Sequence, residues 1–221
     1  MKTYRNHTFG FTLVEMAIVL VIVGLLLGGM LMPLSAQMEQ RRISETQKTM
    51  DEINQALIGF AVANKRLPCP STQTDPAATD YGAEDASCSA APVAEGYLPW
   101  KTLGVAELDA WGIPRTTTAA PWLGYWRYRV DRNFAVTFTL TTGFADSLAV
   151  RNSAGATLTT TTERPVAIIY STGPNKTADG QNATFDAIYQ SDTPSSAFDD
   201  ITIWVSRPIL FNRMVAANQL P

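Results

Sequence analysis

The sequence predicts an α+β chain in which one long N-terminal helix packs on an antiparallel β-sheet, with one disulfide in a loop region. Three observations predict it. An uncharged apolar block runs from Met16 to Leu34. An amphipathic stretch continues it to Asn64. Short alternating segments rich in aromatic and β-branched residues follow from residue 125. With 221 residues the chain suits one domain plus an anchor, or at most two small domains.

The apolar block comes first. As a helix, residues 11–34 rise about 36 Å, enough to cross the hydrocarbon layer of a bilayer. A secretory signal peptide has a shorter core and small residues at its cleavage site. The best such site here ends at Ala36, with Leu34 where a small residue belongs. A plain membrane anchor explains the length, and Lys2 and Arg5 would hold its start in the cytoplasm. It does not explain Glu15. An ionised carboxylate at membrane depth costs about 2.5–3.5 kcal/mol and calls for a partner. Lys2 and Arg5 precede Gly10, and Arg41 lies at the far end of the span, so no cation of the same chain is in reach. Gly24 and Gly28 have the spacing that lets membrane helices approach closely, or they belong to a generic flexible span. Pro33 cannot donate to the helix ladder and should bend it.

Beyond Pro33 the pattern turns amphipathic. Ile43, Met50, Ile53, Leu57, Phe60 and Ala61 fall near steps of three and four, with Arg41, Arg42, Glu45, Lys48, Asp51 and Glu52 between them. This predicts a helix to about Asn64, ended before Pro68. The stripe is too short and irregular for a coiled coil.

Residues 67–122 are loop-rich, with Pro68, Pro70, Pro76, Pro92, Pro99, Pro114 and Pro121. Trp100 and Trp111 read as core anchors of this region, the alternative being a carbohydrate-stacking platform. Cys69 and Cys88 are the only cysteines. In an exported chain an even count predicts a bridge, which would stabilise by roughly 3 kcal/mol; two unrelated buried thiols are the alternative. Strands are predicted at 125–130 and 134–140, joined by a hairpin loop at Asp131-Arg132-Asn133, and at 165–171 and 200–206. In the second of these, Phe134, Val136, Phe138 and Leu140 share one face; in the last, Ile201, Ile203 and Val205 do. Residues 208–218 read as a short closing helix.

Composition limits the chemistry. Net charge is −3, and without the first ten residues 15 basic residues face 20 acidic ones. No basic patch of the kind nucleic-acid binding needs is present, so no nucleic-acid partner is expected. His7, the single histidine, lies ahead of Gly10. A chain starting after Gly10 therefore cannot build a Ser-His triad or supply histidine ligands to a catalytic zinc. Ser191, Ser195 and Ser196 lie in a polar loop with no general base in view. The chain does not read as an enzyme.

Gly10-Phe11-Thr12-Leu13-Val14-Glu15, leading into the apolar run, resembles the processing site of type IV pilins and pseudopilins. The resemblance implies a pilin-like fold and a chain divided into a cleaved leader over 1–10, a transmembrane or filament-core helix over 11–34, an amphipathic helix over 35–64 and a globular part over 65–221. It implies that prepilin peptidase cuts between Gly10 and Phe11 and that the new amine of Phe11 is methylated. That amine is the missing cation: in the family, the Glu at the position of Glu15 is thought to meet the N-terminal amine of a neighbouring subunit. Other pilin or pseudopilin subunits, an inner-membrane assembly platform and membrane lipid are the implied partners. The implied location is the bacterial inner membrane, crossed once with the C-terminal part in the periplasm, and then a filament.

"LDAWGIP…WRYRV" followed by "YSTGPNKTADG…FDDI" resembles, more weakly, the soluble part of type II secretion pseudopilins. In the major pseudopilin the later loop binds calcium. Carried over by position, Asp199 and Asp200, with Asp179 and backbone carbonyls, would be the ligands. No cofactor is required, and calcium is the candidate. The loop is longer here, and Asn175 stands where an Asp is common. Solvated loop carboxylates are the alternative.

The expected function is a structural subunit of a type IV pilus-like filament, minor or specialised because a large irregular soluble part hinders dense packing. A pseudopilin of a type II secretion system is the alternative. A membrane-anchored periplasmic enzyme or a displayed binding module is the remote one.

Overall fold

The structure, a computed structural model, describes residues 10–85, 88 and 95–220, and of residues 27–34 the backbone alone. Leader residues 1–9 and Pro92 therefore lie outside the described residues, and the side-chain expectations for Gly28 and Pro33 do too. The chain forms two compact units, Met1–Ile43 and Ser44–Pro221.

The predicted N-terminal helix is α1, Leu13–Asn64. From Leu13 to Leu26 its large apolar side chains are exposed, Leu13 at 91% and Leu20 at 71%. In the second unit Met50, Ile53, Leu57 and Ala61 are wholly buried, as steps of three and four require. The helix ends where Lys65 takes a left-handed conformation (φ 58°) and its N–H bonds the Ala61 carbonyl at 2.7 Å.

Among the described residues six strands follow: β1 (Gly96–Tyr97), β2 (Arg127–Val130), β3 (Ala149–Arg151), β4 (Pro165–Ser171), β5 (Ile188–Gln190) and β6 (Ile201–Ser206). The main sheet is antiparallel in the order β1-β2-β4-β6. β4 occupies the predicted 165–171, and all seven of its residues are buried, as a strand covered on both faces demands. On one face Val166, Ala167 and Ile169 join Met50, Ile53 and Leu57 of α1. On the other, Ile168 and Tyr170 meet Leu148, Val150 and Tyr189. This second cover includes a parallel pair, β3 with β5, which the expected helix-on-sheet arrangement lacked. α2 is a single turn, Trp100–Leu103, and α3, Arg207–Ala216, is the closing helix, one residue earlier at its start than expected and two at its end.

The expected strand at 134–140 is not formed, and Asp131-Arg132-Asn133 is not a hairpin loop. The buried Asp131 is the reason. Its carboxylate accepts the N–H groups of Asn133 at 3.0 Å, Ala145 at 2.9 Å and Asp146 at 2.9 Å, while its carbonyl accepts that of Phe134. The chain is wound around this acid, and the burial period is four instead of two: Phe134 and Phe138 are buried, whereas Val136 is 42% exposed. The strand expected at 125–130 starts at Arg127, because Tyr125 pairs with Leu108 instead.

Cys69 and Cys88 form the disulfide, with Cα atoms 5.7 Å apart. Beyond the loop they close, Glu95 ties the chain to the sheet. That carboxylate accepts Arg127 Nε at 2.7 Å, Tyr170 Oη at 2.8 Å and Tyr189 Oη at 2.9 Å. Trp100 and Trp111 are buried, so neither offers a face to a sugar.

Candidate functional site

Gly10 and Phe11 are exposed just ahead of α1, and a Cβ on Gly10 or Gly24 would meet nothing within 4 Å. Glu15 has a partner that its expected need for a cation overlooked. Thr12 N–H donates to Glu15 Oε2 at 2.8 Å and Thr12 Oγ1 donates to the same oxygen at 2.9 Å. In return, Thr12 Oγ1 accepts Glu15 N–H at 3.2 Å. This is a reciprocal cap that satisfies two donors at the helix start. The pattern Thr-x-x-Glu ahead of an apolar run is its sequence signature, which marks Thr12 beside Glu15. The cap neutralises no charge, but it places the acid at the positive end of the helix dipole.

The acids near the C-terminal end of the sequence converge. Oxygens of Asp179, Asp199 and Asp200 lie within 4.8 Å of one another. Three local features bring them together. Gly173, with φ 61°, turns the chain leaving β4 so closely against Asp199 that no side chain could fit there. Asp199 N–H donates to Asp179 Oδ2 at 3.0 Å, and Asp179 N–H donates to Asp200 Oδ2 at 3.0 Å. Asn175, the departure from the expected Asp, bonds two of the acids, its amide to Asp179 Oδ2 at 3.0 Å and its N–H to Asp199 Oδ2 at 3.3 Å.

Asp200 is only 2% exposed, and burial pushes its carboxyl up to about 7. Its Oδ2 is held by Asp179 and by Asn182 Nδ2 at 2.8 Å, whereas Oδ1 is buried with no hydrogen-bond partner. Clustered acids with an orphaned buried oxygen, all hard oxygen donors, fit a calcium-type cation and suit zinc or copper poorly. Asn182, wholly buried in the short 3-10 turn Gly180–Thr184, also accepts Gln190 N–H at 2.8 Å. Nothing in its local sequence singles it out, since its importance comes from strands distant in the chain.

Among the described residues no helix is long and apolar enough to cross a membrane; residues 27–34 of the expected span fall outside those searched. Residues 5–31 match the family model described as the prokaryotic N-terminal methylation motif, so the chain carries a prepilin-type motif of the kind found in type IV pilins and pseudopilins. That motif implies processing by prepilin peptidase and assembly with other pilin-like subunits. No curated protein and no solved structure matches the chain.

Proposed function

We propose that the chain is a minor or specialised structural subunit of a type IV pilus-like filament, without enzymatic activity, cut between Gly10 and Phe11 and assembled through α1. The observation that carries this is the prepilin motif at 5–31, whose described helical turns expose their large apolar side chains. Before assembly, that surface sits in the bacterial inner membrane as a single span with the Ser44–Pro221 unit in the periplasm, and Glu15 is held by Thr12. Scission creates an ammonium group on Phe11. On docking, Glu15 exchanges its neutral partner for that cation on an adjoining subunit. A buried ion pair of this kind adds little net stability, but an unmatched charge is costly, so the pair selects register. The assembly platform and prepilin peptidase are the partners this reading requires.

A second reading, a pseudopilin of a type II secretion system, is favoured by the convergence of Asp179, Asp199 and Asp200. In that reading the three acids hold calcium, which supplies the positive charge that three crowded carboxylates need.

Glu15→Ala tests the shared core of both readings. The variant protein should still reach the membrane and fold its Ser44–Pro221 unit, yet filaments recovered from the cell surface should contain little or none of it. Normal incorporation of the variant would refute the proposed assembly role.

A further inference from the structure

β4 and β6 run antiparallel, and the pair nearest the acid cluster is Ser171 with Ile201. Continued past the ends of the two strands, the same register would bring Thr172 level with Asp200 at the first step and Gly173 level with Asp199 at the second. The close approach of Gly173 to the Asp199 carbonyl fits that alignment. Residues opposite each other on an antiparallel pair share a face, and the face alternates along the strand. The pair Tyr170 and Thr202 lies on the face where Asn182 sits: Tyr170 Oη donates to the Asn182 carbonyl at 3.2 Å, and Asn182 Nδ2 donates to Thr202 Oγ1 at 3.4 Å. Asp200 is on that face as well, through its own bond to Asn182. Alternation carried one residue past β4 would return Thr172 to the same face, at the position level with Asp200.

Two buried oxygens at these neighbouring positions have no hydrogen-bond partner, Asp200 Oδ1 and Thr172 Oγ1. Thr172 is 7% exposed. Native interiors rarely leave a hydroxyl or a carboxylate oxygen unmatched, and two at adjoining register positions require a common explanation. They do not bond each other, and one group reached by both would match them together. Asp200 cannot rotate to relieve its own deficit, because Asp179 N–H and Asn182 Nδ2 both hold Oδ2.

We infer that Thr172 supplies a neutral hydroxyl ligand to the divalent cation held by Asp179, Asp199 and Asp200, with Asn182 as the positioning residue that leaves Asp200 Oδ1 for the same ion. The inference rests on the calcium reading above and adds a ligand and an orienting residue to it. Calcium takes six to eight oxygens, so three acids leave places for uncharged ones. A hydroxyl fills such a place without adding to the carboxylate repulsion.

The test uses the full-length protein in detergent, titrated with calcium chloride by calorimetry, with Tm read in calcium and in chelator. Thr172→Val removes the hydroxyl at nearly constant volume. It should weaken calcium binding about tenfold. Its effect on Tm should change sign: equal to or above the parent in chelator, where an unmatched hydroxyl has gone, and below the parent in calcium. Thr172→Ser should restore the affinity. Unchanged calcium affinity in Thr172→Val, or an equal drop in Tm with and without calcium, overturns the inference and leaves the calcium reading standing. Absence of binding heat in the parent protein, matching that of Asp179→Asn, removes the calcium reading and the inference with it.

Discussion

Leu13, Leu20 and Leu25 in the first part of α1 are largely exposed, whereas Met50, Ile53 and Leu57 in its later turns are wholly buried. The side chains are of one kind and the helix is one element, so propensity does not separate them. What differs is the supply of partners. The later turns have β4 and the phenylalanines at 134 and 138 against them. Among the described residues the earlier turns have no such cover, and each large apolar side chain left in water forgoes about 1.5–3 kcal/mol. Residues 11–26 are therefore an unfinished surface, which in the proposed function lipid covers first and neighbouring subunits cover later. The later turns are a finished core.

The largest effect on the finished half is expected at Glu95. Glu95→Gln leaves the half-buried Arg127 without its counter-charge and weakens the bonds from Tyr170 and Tyr189. A loss of about 3–5 kcal/mol is expected in denaturant unfolding of the Ser44–Pro221 unit, as for other buried pairs broken on one side. A loss below 1 kcal/mol would show that this node is not structural.

A matched pair of substitutions sharpens the contrast next. Leu57→Ala should cost about 2–5 kcal/mol in the same unfolding transition, because it opens a cavity under β4. Leu20→Ala should leave that transition unmoved and act only on filament yield. If both lowered unfolding stability alike, the two halves would not differ in the way described.

The division between readable and unreadable features follows the same line. Where one stretch of chain specifies its own environment, the sequence was a reliable guide. The apolar run, the amphipathic stripe, β4, and the pairing of Cys69 with Cys88 were legible from local pattern. Phe134 to Leu140 misled because its alternation is real, yet Asp131 gathers three backbone N–H groups and winds the segment into turns. The parallel pair of β3 and β5 depends on contacts some forty residues apart and left no periodic trace. At the acid site the three aspartates were named from resemblance. Asn182 was not, because only the packing of its turn against β5 and β6 makes it a donor to Asp200.

The smallest expected effect belongs to the unfinished half. Thr12→Val removes the side-chain part of the cap on Glu15 and should cost the helix start about 1 kcal/mol. Circular dichroism of a micelle-bound peptide covering residues 11–34 would register it as fraying of the first turn, with the Ser44–Pro221 unit untouched in the full chain. No change in helicity would mean that Glu15 is not held by Thr12 in an apolar medium.

The most direct measurement is the mass of the N-terminal peptide released from assembled filaments. A peptide beginning at methylated Phe11 is the predicted result, since in the proposed assembly only scission after Gly10 supplies a cation for Glu15 of the next subunit. Filaments built from chains that still begin at Met1 would contradict the account.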